Sequence, residues 1–246
     1  IDSCVNQSYE DIEIIIVDNC STDETATIIK NNQDHRINYI YSNLRGRSMA
    51  RNIGLEAAKG NYVQFLDADD ELAGDKIEIG TLYLERNSDY KAHVSGVRYI
   101  KNYVEIKKVF PKLNYTEELL AHNIFPIHSV LFRNDKKIKF DDKLDYCEDW
   151  LFWVEELYGE KIYFETDYVG GITHIHESNT MKQKDLMNEY QLYVQQRIKR
   201  QYPIKKLPLF INEVKLLIIH YFTAEKERLT NESVQKNSRK HSCLND

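Results

Sequence analysis

The sequence is poor in the residues that build linkers, zinc knuckles and membrane spans. It holds only 4 Pro and 9 Gly, and no Pro/Gly/Ser-rich stretch divides it, which excludes a string of domains on flexible linkers. The four cysteines, Cys4, Cys20, Cys147 and Cys243, form neither a CxxC pair nor a cluster. That argues against a zinc knuckle or a disulfide frame and fits reduced thiols in a cytoplasmic protein. The longest apolar runs, 12–17 and 216–219, fall far short of the roughly 20 residues that cross a bilayer, and no signal peptide is visible. Positive charge is not in excess either. A formal net charge of −6 disfavours a general nucleic-acid binder. What remains, 42% hydrophobic and 29% charged residues, is an ordinary globular composition able to bury one sizeable core.

Hydrophobic patterning supplies the order of elements. Ile12 to Val17 is a nearly continuous β-branched run, the pattern of a strand covered on both faces of a parallel sheet, with Asp18 at its end. Ser21-Thr-Asp-Glu24 has capping-box spacing and predicts a helix to about Lys30, and Ile37 to Tyr41 reads as the next strand. A helix from about Ser48 to Lys59, with Gly60 just past its end, leads to the strand Tyr62 to Leu66. Further on, a helix is expected over 75–86, strands near 93–100 and 103–109 with Lys101-Asn102 as the turn, and a strand over 129–133. A helix over 148–158 and a short strand over 161–165 follow. Apolar residues at helical spacing around Leu186 to Ile198 and Phe210 to Phe222 predict two amphipathic tail helices.

Phe65-Leu-Asp-Ala-Asp-Asp70 carries the sharpest chemistry. A strand that ends in carboxylates at i and i+2 points both to one side, at the sheet edge where α/β folds bind ligands. Such oxygens suit Mg²⁺ or Mn²⁺, which completes its shell with water and substrate phosphates and can neutralise a departing diphosphate. An isolated Asp-x-Asp is more often a solvated turn, so the surrounding sequence has to decide.

Ile16-Val-Asp-Asn-Cys-Ser-Thr-Asp-Glu-Thr25, then Arg47-Ser-Met-Ala-Arg-Asn-Ile-Gly54, then the acidic cluster stand in that order. Together they resemble the nucleotide-sugar half of family 2 glycosyltransferases, with its "VDDGSTD"-like turn, "ARN" triplet and "FLDxDD" strand end. The resemblance spans most of residues 1–180. It implies an α/β protein of GT-A type, with a mostly parallel central sheet flanked by helices, a Rossmann-like nucleotide-binding half and a C-terminal helical extension. Residues 1–180 would form the catalytic domain, with the nucleotide-sugar half at 1–90 and the acceptor half at 91–180, and 181–246 the extension.

Position by position, the resemblance implies that Asp18 contacts the nucleoside and that Asp67 and Asp69 serve ribose and metal. It places Arg51 beside the nucleotide; the plain alternative is a surface arginine paired with Glu56 or another acid. Tyr146-Cys-Glu-Asp-Trp150 matches the family's "ED" pair at a helix start, which makes Asp149 the base for the acceptor hydroxyl. Thr173-His-Ile-His-Glu-Ser178 is similar to a late "Y-R-x-H" segment. His176 then approaches diphosphate or metal, while His174 stands where the arginine is expected. Ser21, Asp23 and His176 also have structural readings as caps or as an ordinary histidine.

The implied cofactor is Mn²⁺ or Mg²⁺, the donor a UDP-sugar, and the acceptor a saccharide or lipid-linked saccharide in surface polysaccharide, lipopolysaccharide or glycan synthesis. No nucleic-acid partner is expected. The expected location is cytoplasmic, with peripheral attachment to the inner face of the membrane and homodimerisation left open. The family opens with a strand carrying a "P-x-Y-N"-like segment, and none stands ahead of Ile1, so an interior strand is expected to be lacking. A processive synthase is disfavoured by the lack of spans and of a "QxxRW" segment. Two other classes stay open: a nucleotidyltransferase, and a non-catalytic domain that binds sugar nucleotides or partner proteins.

Overall fold

A computed structural model of the chain describes residues 1–112, 115–176 and 184–202. The chain divides into two compact units, 1–179 and 180–246. Of the second unit the described part is one helix, α7 below; the tail helix expected over 210–222 and Cys243 lie outside the described residues.

The first unit opens with a short helix α1 (Asp2–Val5), followed by strand β1 (Ile14–Asn19), helix α2 (Thr25–Asn31) and strand β2 (Ile37–Ser42). The capping box expected at Ser21 does not form. Glu24 is the N-cap residue without a side-chain bond, and Asp23 instead accepts the Thr25 N–H at 3.0 Å, which delays the helix start. Helix α3 (Arg47–Ala57) leads into β3 (Tyr62–Gln64), β4 (Glu71–Leu72) and α4 (Lys76–Arg86). Strands β5 (Ala92–Lys101) and β6 (Val104–Val109) form a hairpin, then come α5 (Tyr115–Ala121) and β7 (Val130–Arg133). Helix α6 (Glu148–Leu157) and strand β8 (Ile162–His174) complete the unit, and α7 (Lys184–Gln201) belongs to the second.

The α/β class and GT-A type hold, but the strand directions are mixed where the sequence reading expects a mostly parallel sheet. β1 and β2 pair in parallel as a two-stranded sheet, and a second sheet runs β3-β7-β5-β8-β4 with β6 beside β5. In it β5 and β8 are parallel, whereas β3–β7, β5–β7, β4–β8 and β5–β6 are antiparallel. A two-residue turn makes β5 and β6 antiparallel, since parallel neighbours need a long crossover, whereas the other antiparallel pairs join strands far apart in the chain. Among the described residues β1 has a strand partner on one edge, and only Ile14 and Asp18 of it are buried. The two-faced cover expected for this strand is therefore not present in full.

The core is aromatic. Phe152 and Trp153 of α6 are buried against Phe132 of β7, and the ring of Phe140 stacks on Phe152 at 4.0 Å. Phe65, just past β3, lies 5.2–6.3 Å from the rings of Phe140, Phe152, Phe132 and Trp153. Each such pair contributes about 0.5–1.5 kcal/mol beyond area burial, so the chain is well anchored two residues before Asp67. Glycine matters at one place in β8. A Cβ at Gly171 would collide with the His128 ring and one at Gly170 with the Lys76 stem, so both glycines let buried polar side chains pass under the acidic turn.

Candidate active site

Helix α3 ties the site together. Asn52 clamps Phe140 with two bonds, accepting its N–H at 2.8 Å and donating to its carbonyl at 2.9 Å. Ser48 donates to the Leu144 carbonyl at 3.3 Å and Arg47 to that of Asp145 at 2.5 Å. The segment that leads into α6 is thereby fixed before the helix begins. Cys147, with φ 60°, turns the chain so that Glu148 and Asp149 occupy the first turn of α6, where the helix dipole favours carboxylates.

Arg51 occupies the centre. Its guanidinium lies 2.8 Å from Asp67 Oδ1 and 2.9 Å from Glu148 Oε1, and only 11% of its side chain is exposed. A surface arginine paired with Glu56 is not what the structure holds; Glu56 lies 3.6 Å from Lys139. The Asp-x-Asp turn and the Glu-Asp helix start, some eighty residues apart, thus share one cation.

Asp149 is half-buried beside this bridge. Its Oδ1 accepts the Trp150 N–H at 2.9 Å and its Oδ2 accepts Asn123 Nδ2 at 2.7 Å. The Asn123 amide is held in turn, because its carbonyl accepts the Phe125 N–H at 3.2 Å. Trp150 Nε1 reaches the Leu119 carbonyl at 2.6 Å, so consecutive residues of α6 fasten α5 and the loop after it. Burial pushes the Asp149 carboxyl above its ordinary pKa, against the pull of Arg51 and of the bonds from Trp150 and Asn123. Burial and the neighbouring Asp149 raise Glu148 as well, opposed by Arg47 and Arg51.

Around the acidic turn, Asp69 Oδ2 and His176 Nε2 are 2.7 Å apart, and Glu71 pairs with His174 at the same distance. His174 also donates its backbone N–H to Asp70 Oδ1 at 3.1 Å. Asp70 Oδ2 lies 3.2 Å from Nδ1 of the buried His128, whose Nε2 is 3.2 Å from Thr173 Oγ1. Burial raises Asp70 to about 7 and lowers His128 to about 4. The end of β8 is therefore stitched to the acidic turn by three histidines.

Asp18 stands at the end of β1, buried, with Oδ1 accepting the Ser21 N–H at 2.9 Å and Oδ2 the Tyr39 hydroxyl at 2.7 Å. Ser21, and then Tyr39, hold its carboxyl below the usual range. Its link to the rest runs through Asn19, which accepts the Gly46 N–H at 2.8 Å at the head of α3. The structure thus joins Asp67, Arg51 and Glu148 directly, with Asp149 next to Glu148 in the chain, attaches Asp69 to His176, and connects Asp18 through α3.

The family model of Glycosyl transferase family 2 matches residues 1–140. The chain belongs to this family. A relative from Escherichia coli, the UDP-Glc:alpha-D-GlcNAc-diphosphoundecaprenol beta-1,3-glucosyltransferase WfaP, is 32% identical over 93% of this chain and 91% of its own. An uncharacterized glycosyltransferase of Haemophilus influenzae is 34% identical over 62% of this chain and 63% of its own. Among solved structures, S. aureus TarS 1–349 with UDP-GlcNAc superposes with a TM-score of 0.66 at 17% identity, over 88% of this chain and 66% of that one. A mannosyltransferase from Pyrobaculum calidifontis with GDP-Man and Mn²⁺ gives 0.61 at 18% identity, over 89% and 64%. These likenesses establish the GT-A fold, and the chain spans about two thirds of the length of the Haemophilus relative and of both solved chains.

In this family 2 chain the donors fit a hard cation of low protein coordination. The Asp69 carboxylate, paired with the His176 ring at 2.7 Å, is an oxygen donor of the kind Mg²⁺ and Mn²⁺ prefer. No group of three or more His, Cys, Asp or Glu suited to a metal occurs among the described residues. Mg²⁺ and Mn²⁺ need no such cage, because water and phosphate oxygens complete their shells. Asn123, Tyr39 and His128 were not singled out in the sequence. Each is a lone polar residue whose partner, Asp149, Asp18 or Asp70, is distant in the chain, and no local pattern marks it.

Proposed function

We propose that the chain is an inverting glycosyltransferase that moves a sugar from a UDP-sugar to a hydroxyl of a saccharide or lipid-linked saccharide. Residues 1–180 form the catalytic domain and 181–246 an extension that contains helix α7. The observation that supports this reading is the Arg51 bridge, which ties Asp67 of the acidic turn to Glu148, the residue before the proposed base Asp149.

The acceptor oxygen attacks the anomeric carbon from the face opposite the nucleotide while the bond from that carbon to the diphosphate breaks, and the electron pair leaves with UDP. The hydroxyl proton passes to Asp149. Each of its carboxylate oxygens accepts one bond from the protein and keeps a lone pair for the acceptor, and burial makes it a stronger base than an exposed aspartate. Asp69 and His176 would hold the cation, and when bound it neutralises charge on the departing diphosphate. Asp18 contacts the nucleoside. Arg51 holds Asp67 and Glu148 together beside the donor site, and this supports a positioning role for it next to the nucleotide.

WfaP uses UDP-Glc and a diphosphoundecaprenol-linked acceptor by name, and this supports a UDP donor and a lipid-linked acceptor here. The test is a screen of UDP- and GDP-sugars with Mn²⁺ that measures donor hydrolysis and protection against thermal unfolding. Protection and hydrolysis by a UDP-sugar uphold the reading. Response to no nucleotide sugar leaves the non-catalytic alternative in its place.

A further inference from the structure

Strand β6 buries nothing. All six of its residues are exposed, including Val104, Ile106 and Val109, although the strand is paired to β5 along its length. The turn that precedes it is Asn102-Tyr103, one residue later than the sequence suggests, and both residues have positive φ, 50° and 63°. Two-residue hairpin turns of this hand favour glycine in the second position, because a side chain there is strained. Here that position carries a tyrosine with its whole surface in solvent. An aromatic ring held at a strained tip without packing points to a contact outside the chain.

Charge says what kind of contact. Residues 98–112 hold five Lys or Arg and one Glu, in a chain whose formal charge is −6. Lys107 lies 4.5 Å over the Tyr99 ring and Lys108 is 3.5 Å from Glu105, and both follow the exposed Ile106 directly in the strand. Lysines along an exposed edge oppose strand pairing with a second copy. Aromatic and aliphatic side chains rimmed by lysine suit the interface of an anionic bilayer, where rings sit at headgroup level and lysines meet phosphate.

The hairpin is also well placed. Ile100 pairs with His174, and the Ile175 N–H donates to the Ile100 carbonyl at 2.7 Å. Its root is therefore one residue from His176, the partner of Asp69. From Ile100 to the tip is about 10 Å of strand.

We propose that the β5–β6 hairpin is a membrane-docking element that inserts Tyr103, Val104 and Ile106 among anionic lipid headgroups, with Lys101, Lys107 and Lys108 on their phosphates. Docking there sets the Asp69–His176 edge beside the surface on which a lipid-linked acceptor presents its sugar. The hairpin's exposure, turn and charge carry this inference, and the acceptor's position beside it rests on the function proposed above.

The test is co-sedimentation of the full chain with vesicles of phosphatidylcholine alone or with phosphatidylglycerol. The expected result is binding to the phosphatidylglycerol vesicles that weakens as salt is raised. Reversal of three charges (K101E, K107E, K108E) should lower partitioning at least ~10-fold, and the pair Tyr103→Ser and Ile106→Ser should lower it several-fold. Melting temperature and its shift with UDP and Mn²⁺ should match the wild type, which shows that fold and nucleotide site are intact. Failure of the wild type to bind anionic vesicles overturns the proposal, as do equal binding by both variants or binding that ignores lipid charge. None of these readouts needs turnover, so the function proposed above stands or falls separately.

Discussion

Arg51 and Glu148 are separated by 97 positions in the chain and meet at 2.9 Å, both nearly buried. The same guanidinium holds Asp67. Removal of one partner from such a buried pair leaves an uncompensated charge, a cost of about 3–5 kcal/mol. Arg51→Ala should therefore lower stability by about that amount in urea unfolding, and Arg51→Lys should recover part of it, since an ammonium cannot span both carboxylates as a guanidinium does. The double variant Arg51→Met, Glu148→Leu should regain stability without regaining transfer.

The pH dependence of transfer should report Asp149. The groups that face it are Arg51, Asp67, Glu148 and Asn123. Its raised pKa puts the acid limb of kcat/KM above the ordinary aspartate value of about 3.9. Asn123→Ala removes a donor that favours the charged form, so the limb should move to higher pH, and Asn123→Asp should move it further through like charge. A purely structural role for Asn123 would lower the rate and leave the limb in place.

Asp69 and His176 are both well exposed, so their loss should change stability by less than about 0.5 kcal/mol. Asp69→Asn and His176→Ala should instead reduce the Mn²⁺-dependent part of UDP binding, read by titration with and without chelator. Unchanged metal-dependent affinity in both variants would remove the pair from the cation site.

Lys76 is wholly buried, with Nζ 2.8 Å from the Ser129 carbonyl, and burial lowers it to about 7. The unfolded chain binds this proton up to about pH 10.4, so between these values it holds more protons than the folded one and stability rises with pH. Lys76→Met should stabilise the protein at pH 7 by about 1–3 kcal/mol and flatten that rise, as measured by urea unfolding from pH 6 to 9.

Much of the site was legible because its parts are local. The acidic run Asp67 to Asp70 and the helix start at Glu148-Asp149 are short patterns. The helix begins where expected, whereas β3 ends at Gln64, so the acidic run lies in the turn after it rather than at the strand end. The Arg51 bridge was not legible, since spacing along the chain says nothing about which carboxylates a long side chain will meet. β8 runs through to His174 rather than stopping at Glu165. Its Gly170-Gly171 looks like a break, but β5 and β4 both pair with Gly171, and Thr166-Asp167 lie in an irregular stretch between the pairs Val94–Phe164 and Gly96–Val169. Helix α5 was missed because seven residues give too little periodicity to read.

The most direct measurement compares Asp149→Asn with the wild type for UDP release from an active UDP-sugar and for UDP affinity with Mn²⁺. The expected result is a rate lowered at least ~100-fold with affinity unchanged, as for loss of a general base. A variant that turns over at the wild-type rate would contradict the assignment of Asp149 and with it the shared site built around Arg51.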